Sequence, residues 1–520
     1  MANRTIKQYK WAAAAGNCRM RMLMTVLLLA SLSSCKKFLQ ERSQSDFTPK
    51  STTSFSELLM GTAYPLSTGR LHQAICLMDD DVQEYPPVTQ GDVGDGYEQG
   101  LPAYAWQPDF FERMEASGFD PSGITIDGYK NYYKLITGTN IALQYGPESE
   151  GTRADKDYLL GQAYTLRAFY YFQLVNLYGR PYNDSTTTPE KSPGVPLILT
   201  ANVSDSMPRR HSVQQVYRQV HSDLQQAFQM LDAEKRTGDI FRVDHIAAHL
   251  LASRVALYMC DWDSVIRHAD YVIQYHPQLM NLNDWFPRKT DPSGNPAFLP
   301  IIGVGNRETI WTYSSSNETY PLKIAYAYGM SKDLVSQFEP TDLRAQIYFT
   351  TAPPIFEQWI SILSQPAKWE IIGTIITTTG CAFRSSEAYL NRAEAYAQKY
   401  LLTGDASFGQ KAMEDLNTLR KNRFSAADFQ PLQAIPADSL LQFCRQERRR
   451  EFFFEGHRWF DLRRYGMPSI THTYGMTKTS QRTFTLQAHD PQYTLQIPPT
   501  AILMNQNLIQ NPAAPVRESH

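Results

Sequence analysis

The stretch Tyr158-Leu-Leu-Gly-Gln-Ala-Tyr-Thr-Leu-Arg-Ala-Phe-Tyr-Tyr-Phe-Gln-Leu-Val-Asn-Leu-Tyr178 repeats its apolar residues at intervals of three and four, and Gly179 follows directly. That spacing fits the turn of an α-helix and not the alternation of a strand, and the glycine stops it. The same reading predicts amphipathic helices over 127–145, 153–178, 212–233, 243–259, 262–275, 383–401, 408–423 and 436–465. A chain so built must bury helix against helix.

Four of these segments pair into hairpins: 243–259 with 262–275, turned at Asp261-Trp262-Asp263, and 383–401 with 408–423, turned at Gly404-Asp405. Alanines 247, 248, 252, 256 and 269 in the first pair, and 388, 393, 395 and 397 in the second, permit close approach of the helices. The small-residue spacing is similar to that of tetratricopeptide units, although neither pair carries the full consensus. Plain antiparallel packing explains it as well. The expected fold class is mostly α, a tetratricopeptide-like helix-hairpin scaffold over about 127–275 and 383–466, interrupted by long irregular loops rich in aromatic residues.

The loops, about 79–126 and 278–382, are too long for simple connections and too aromatic for disorder, so they are where a ligand is expected. At 520 residues the chain suffices for one large unit or a few packed subdomains. Its 50 Lys plus Arg balance 52 Asp plus Glu, which argues against a nucleic-acid binder. Cys76, Cys260, Cys381 and Cys444 are scattered without metal-ligand spacing, and Cys260 and Cys444 read as small buried hydrophobes within helices.

The N-terminus is the most specific short signal. Arg4, Lys7, Lys10, Arg19 and Arg21 precede the apolar run Met22–Leu32, a secretory core too short to span a bilayer. Leu32-Ser33-Ser34-Cys35 closes it and is similar to a bacterial lipobox. Residues 1–34 are therefore expected to be a lipoprotein signal peptide, whose unusually long basic region also allows a start at Met20 or Met22. Cys35 is the expected acylation site, residues 35–55 a lipidated tether, and 56–520 the folded domain. More than one acyl chain is needed for stable anchoring.

Blocks along the mature chain carry a resemblance. They include Cys35-Lys-Lys-Phe-Leu39, Tyr132-Tyr-Lys-Leu-Ile136 with Asn140, Leu166-Arg-Ala-Phe-Tyr-Tyr-Phe172, and Leu177-Tyr-Gly179 with Gly194-Val-Pro-Leu197. Asn306-Arg-Glu-Thr-Ile-Trp311, Asp342-Leu-Arg344 and Arg384-Ser-Ser-Glu-Ala-Tyr-Leu-Asn-Arg-Ala-Glu-Ala395 follow, then Leu416-Asn417 with Arg420. Glu447–Arg464, Ile497-Pro-Pro499 and Asn505–Pro512 close the series. In order and spacing the chain resembles the SusD/RagB family of nutrient-uptake lipoproteins of Bacteroidetes. The resemblance implies a SusD-like fold, an outer-membrane protein exposed at the cell surface, and a SusC-type TonB-dependent transporter as partner. It implies capture of a glycan, or a peptide in the RagB manner, without catalysis. Lys36-Lys37 departs from the acidic residues associated with surface export and leaves the leaflet open.

Glu447, Glu451 and Glu455 recur at four, so one helix would carry them on one face beside Arg448 and Arg458. Two carboxylates could serve glycoside cleavage, but a general acid needs a raised pKa and arginines lower it, so a structural ladder is expected. Gripping a sugar needs flat rings and short polar groups. Tyr97, Tyr104 and Trp106 in the first loop and Tyr313 and Tyr320 in the second are the expected stacking residues. Asp79-Asp80-Asp81 and Asp92-Val-Gly-Asp95-Gly96 leave calcium open without matching an EF-hand, and no other cofactor is expected.

Overall fold

The computed structural model describes residues 49–518 apart from 66–70, 72, 85–98, 118–127, 203–206, 238, 286–300, 304, 314–327, 353–362, 367, 369–370, 373–374, 377–379 and 476–480. Cys35 and the expected leader and tether up to residue 48 lie outside the described residues. The rest of the expected tether, to residue 55, is corrected: it already belongs to the fold, Ser51 capping a helix from Thr52 with Thr52 and Phe55 buried. Lys50–His520 form one compact unit that holds the whole described core, so a chain starting at Lys50 is expected to fold by itself.

The frame consists of α1 (Thr52–Thr62), α2 (Tyr129–Tyr145), α3 (Arg153–Tyr178), α4 (Val213–Glu234), α5 (His245–Met259), α6 (Trp262–Tyr275), α7 (Ser385–Thr403), α8 (Ala406–Lys421), α9 (Ala437–Phe452) and α10 (Arg458–Arg464). Local chemistry sets the ends. Thr152 caps α3 by accepting from Asp155 N, Ser212 and Gln215 form a capping box on α4, and Gly404 takes the left-handed conformation (φ 72°) that stops α7. From Leu159 to Tyr178, α3 is buried all round except at Tyr164, packed between α2 and α4.

The helices follow one another in a row: α3 on α4, α4 on α5, α5 on α6, α6 on α7, and α7 on both α8 and α9. The two predicted hairpins thus stack side by side although a long loop separates them in sequence. Every alanine singled out for close approach is buried, as a stacked-repeat geometry requires. Among the described residues, no helix is long and apolar enough to cross a membrane.

Two further expectations are corrected. The segment 436–465 is two helices, because Phe453 leaves the helical region and Phe454 and Gly456 take positive φ of 57° and 79°. Glu455 therefore lies beyond the end of α9. Cys260 is the half-buried, left-handed C-cap of α5 and not a helix-interior residue, whereas Cys444 is buried in α9 as expected.

Strands are short and paired two by two. β1 (Val82–Glu84) pairs antiparallel with β3 (Tyr328–Met330), β2 (Thr309–Tyr313) with β4 (Cys381–Arg384), and β5 (Ile470–Tyr474) with β6 (Arg482–Leu486). Further two-stranded pairs join Phe349–Ala352 to Leu363–Pro366 and Ile371–Ile372 to Ile375–Ile376.

Candidate functional site

β1 and β3 bring the two long loop regions together, and β5 packs against β1. An open groove of about 630 Å³ lies among them. Its walls are polar: Gln83 and Glu84 from β1, Lys332 and Asp333 just after β3, Thr471 and Thr473 from β5, and Gln481 before β6. The alternation of buried and exposed residues along Ile470-Thr-His-Thr-Tyr474 turns both threonines outward. That period-two pattern is the signal these two threonines leave in the sequence.

Tyr104 lines the floor, and Trp106 lies beneath it, behind His472. Tyr104 Oη accepts from Glu84 N (3.0 Å) and donates to Thr473 O (3.1 Å), which ties β1 to β5. Trp106 Nε1 donates to Met78 O at 2.8 Å. The His472 ring is sandwiched between the two, with centroids 4.1 Å from Tyr104 and 4.2 Å from Trp106. Both side chains are buried: Trp106 does not reach the groove, and Tyr104 lines its floor with the ring packed on His472 and the hydroxyl spent on β1 and β5. Tyr313 is likewise in the core: every residue of β2 is buried, and its ring stacks on Trp311 and meets Phe169 of α3 edge-on. The expected stacking role of Tyr104, Trp106 and Tyr313 is thus corrected, because these rings cement the loops to the frame. Tyr97 and Tyr320 lie outside the described residues.

Glu84 is the anomalous wall residue. Its Oε2 accepts from Gly475 N at 2.9 Å, while Oε1 is buried without a partner. Burial pushes its carboxyl up to about 8, against smaller opposing effects of the Gly475 bond and Arg482. A carboxyl raised in the folded state holds a proton there that the unfolded chain has already released. Stability is then lost as pH rises from about 4.5 toward about 8. Glu84→Gln is expected to match the parent near pH 4.5 and to exceed it in denaturant midpoint at pH 8. An unchanged pH dependence would refute this account of Glu84.

The carboxylates Asp79, Asp80 and Asp81 have oxygens within 4.8 Å of one another. Two guanidiniums already serve this cluster. Arg458 binds Asp80 in bidentate fashion at 2.6 and 2.7 Å, and Arg449 bridges Asp81 and Asp333, both at 2.6 Å. The charge that calcium would neutralise is therefore met by arginine, and Asp79 is pushed well up by burial first and then by Asp81 and Asp80. Asp92 and Asp95 lie outside the described residues.

The glutamates of α9 are far from such a role. Glu451 accepts from Arg384 (2.9 Å), Arg423 (2.9 and 3.0 Å), Arg344 (3.2 Å) and Tyr348 (3.0 Å). Glu455, though outside the helix, meets the same Arg384 at 2.8 Å and Lys368 at 2.8 Å. Glu308 closes the cluster through Arg384 (2.8 Å) and Arg423 (2.6 Å). Burial alone would raise Glu447, but Arg344, Arg450 and Arg420 overcome it and bring the carboxyl down to about 2. Glu451 is likewise held well below the usual range, burial being outweighed by Arg423 and Arg384. Such groups stay ionised and have no proton to give as a general acid.

A row of stacked helix hairpins, with loop-borne strands framing a polar groove at its edge, defines a class of helical scaffold that presents a loop-built surface. A family model described as "Starch-binding associating with outer membrane" matches residues 105–257, and one described as "SusD family" matches residues 308–513. Together they span more than half of the chain, which belongs to the SusD/RagB family. The SusD-like protein P38 of Formosa agariphila is 24% identical over 408 residues, covering 68% of this chain and 75% of that relative. A SusD-like carbohydrate binding protein from Bacteroides vulgatus has the same fold, with a TM-score of 0.63 at 18% identity, over 88% of this chain and 97% of that one. A SusD superfamily protein from Bacteroides thetaiotaomicron aligns with a TM-score of 0.64 at 20% identity, over 89% and 100%.

Proposed function

We propose that this protein is a lipid-anchored outer-membrane binding protein that captures a glycan in the groove between β1, β3 and β5 and hands it to a SusC-type transporter. The observation that carries the reading is the groove itself. It is open, walled by amides, hydroxyls and single charges, and sits on a floor pinned by the hydrogen bonds of Tyr104. Carboxamide and hydroxyl groups suit ligand hydroxyls, and the concavity suits a chain of a few sugar units. The relatives named for starch or carbohydrate binding support the choice of ligand class. Acylation at Cys35 would supply the tether. Of the rings expected from the sequence to stack on sugar, Tyr97 and Tyr320 remain the proposed contacts.

Affinity measurements on the unit from Lys50 onward, against a panel of polysaccharides, oligosaccharides and oligopeptides, test the reading. Saturable binding of a glycan without release of shorter products is expected. Tyr320→Ala should weaken it about three- to tenfold, the value of one aromatic contact. Binding confined to peptides, binding to nothing in the panel, or cleavage of a bound glycan would each overturn the assignment.

A further inference from the structure

Away from the groove, the segment Met207–Ser212 and the C-terminal segment Pro498–Ile509 run side by side and share out their residues between two cavities. Asn505 Nδ2 donates to Pro208 O and Asn507 Nδ2 to Met207 O, at 2.9 and 2.8 Å, and fix the two segments to each other. Pro208, Met504, Asn505 and Leu508 face an apolar cleft of about 540 Å³, while Arg209, Arg210, Gln506, Asn507 and Ile509 face a pocket of about 550 Å³.

The pocket is basic. Lys191, Arg209, Arg210 and His211 line it, and among the described residues no carboxylate does. Arg210 is spent on carbonyls: it donates to Gly194 O (2.6 Å), Ile509 O (2.7 Å), Tyr178 O (2.8 Å) and Pro193 O (3.0 Å). These bonds hold the guanidinium in place without neutralising it, and desolvation pulls it down to about 10. His211 Nδ1 accepts from Leu197 N, so Nε2 carries the proton of the neutral ring. Among the described residues, Lys191, Arg209 and Arg210 have no carboxylate within ion-pair distance. The N-terminus of the long helix α4 begins at Ser212 and adds its positive end.

The neighbouring cleft is the opposite in character. Tyr129, Tyr133, Pro196, Ile198 and Pro498 wall it, and its acids, Glu112 and Glu115, share it with Lys130. Of its lining, Met504 is 80% exposed, and the same two segments expose Leu503 (79%), Ile509 of the basic pocket (74%) and Met207 (50%). Exposed long aliphatic side chains bordering clustered cations are the surface that an anionic lipid layer attracts, headgroup to the cations and chains to the apolar residues.

We infer that this face binds an anionic membrane lipid, its phosphate headgroup held by Lys191, Arg209 and His211 and an acyl chain lying in the cleft beside Met504. The contact is separate from the nutrient groove and stands whatever that groove takes. A protein tethered by lipid would gain from it a fixed face toward the membrane in place of a freely swinging one.

The test uses the unit from Lys50 onward, titrated below micellar concentration with dihexanoylphosphatidic acid, dihexanoylphosphatidylcholine and inorganic phosphate. The phosphatidic acid is expected to bind at least tenfold more tightly than the other two. The double variant K191E/R209E, changed only at exposed positions, should lose at least tenfold, and Met504→Glu should weaken the lipid while leaving phosphate unaffected. Phosphate binding as tightly as the lipid would show a free-anion pocket and overturn the lipid assignment. Equal binding of phosphatidylcholine, or indifference to K191E/R209E, would overturn the role of the basic residues.

Discussion

Glu451→Ala is expected to be the most destabilising single change in the frame, about 3–5 kcal/mol, the range for removing one partner of a buried ion pair. The size follows from what is left behind. Arg344, Arg384 and Arg423 converge on this carboxylate with fully buried side chains, and each would keep a desolvated charge with one partner fewer. A domain whose whole stability is of the order of 5–15 kcal/mol has little room for such a loss. Denaturant unfolding should show it as a large fall in midpoint, or as failure to accumulate folded protein. Glu451→Gln, which keeps the shape and one acceptor, should lie between the two. An alanine variant within about 1 kcal/mol of the parent would mean that the cluster binds nothing together.

The same cluster fixes the acid limit of the fold. Glu447 is depressed in the folded state, so its contribution is present above the unfolded value near 4.5 and drains away as pH falls toward about 2. Because the arginines come from β4, from the turn after α8 and from the short helix Arg344–Ile347, acid would release the loop regions from the helix row together.

The helical row was legible because periodicity, caps and small-residue stripes are local signals. Observed helices start and end within about two residues of the expected bounds wherever one helix suffices. Two readings failed: α1 was not expected and starts at Thr52, inside the expected tether, and 436–465 turned on Phe454 at positive φ, a conformation no residue-type preference announces. The family blocks encode the frame more than the site. Arg167 meets Asp223 and Asn140, Arg254 grips Glu387, and Glu394 pairs with Arg464, all buried. The groove was not legible, since Gln83, Lys332, Thr471 and Gln481 come from stretches that meet only through pairing of β1 with β3 and packing of β5.

Trp106→Ala should separate frame from contact. As a ligand platform, Trp106 would cost affinity and no stability when truncated. Its position demands the reverse. The indole is fully buried, packed on His472, and its N–H is spent on Met78 O. Truncation leaves a cavity and an unpaired carbonyl, expected to remove about 3–5 kcal/mol from the unfolding free energy. The backbone adds nothing to this difference, because φ of 50° strains alanine as it strains tryptophan. Glycan affinity, measured at a temperature where the variant is still folded, should stay within about twofold of the parent, since the indole does not line the groove. Loss of affinity with unchanged stability would place the ring back at the ligand and overturn its assignment to the packing beneath the groove.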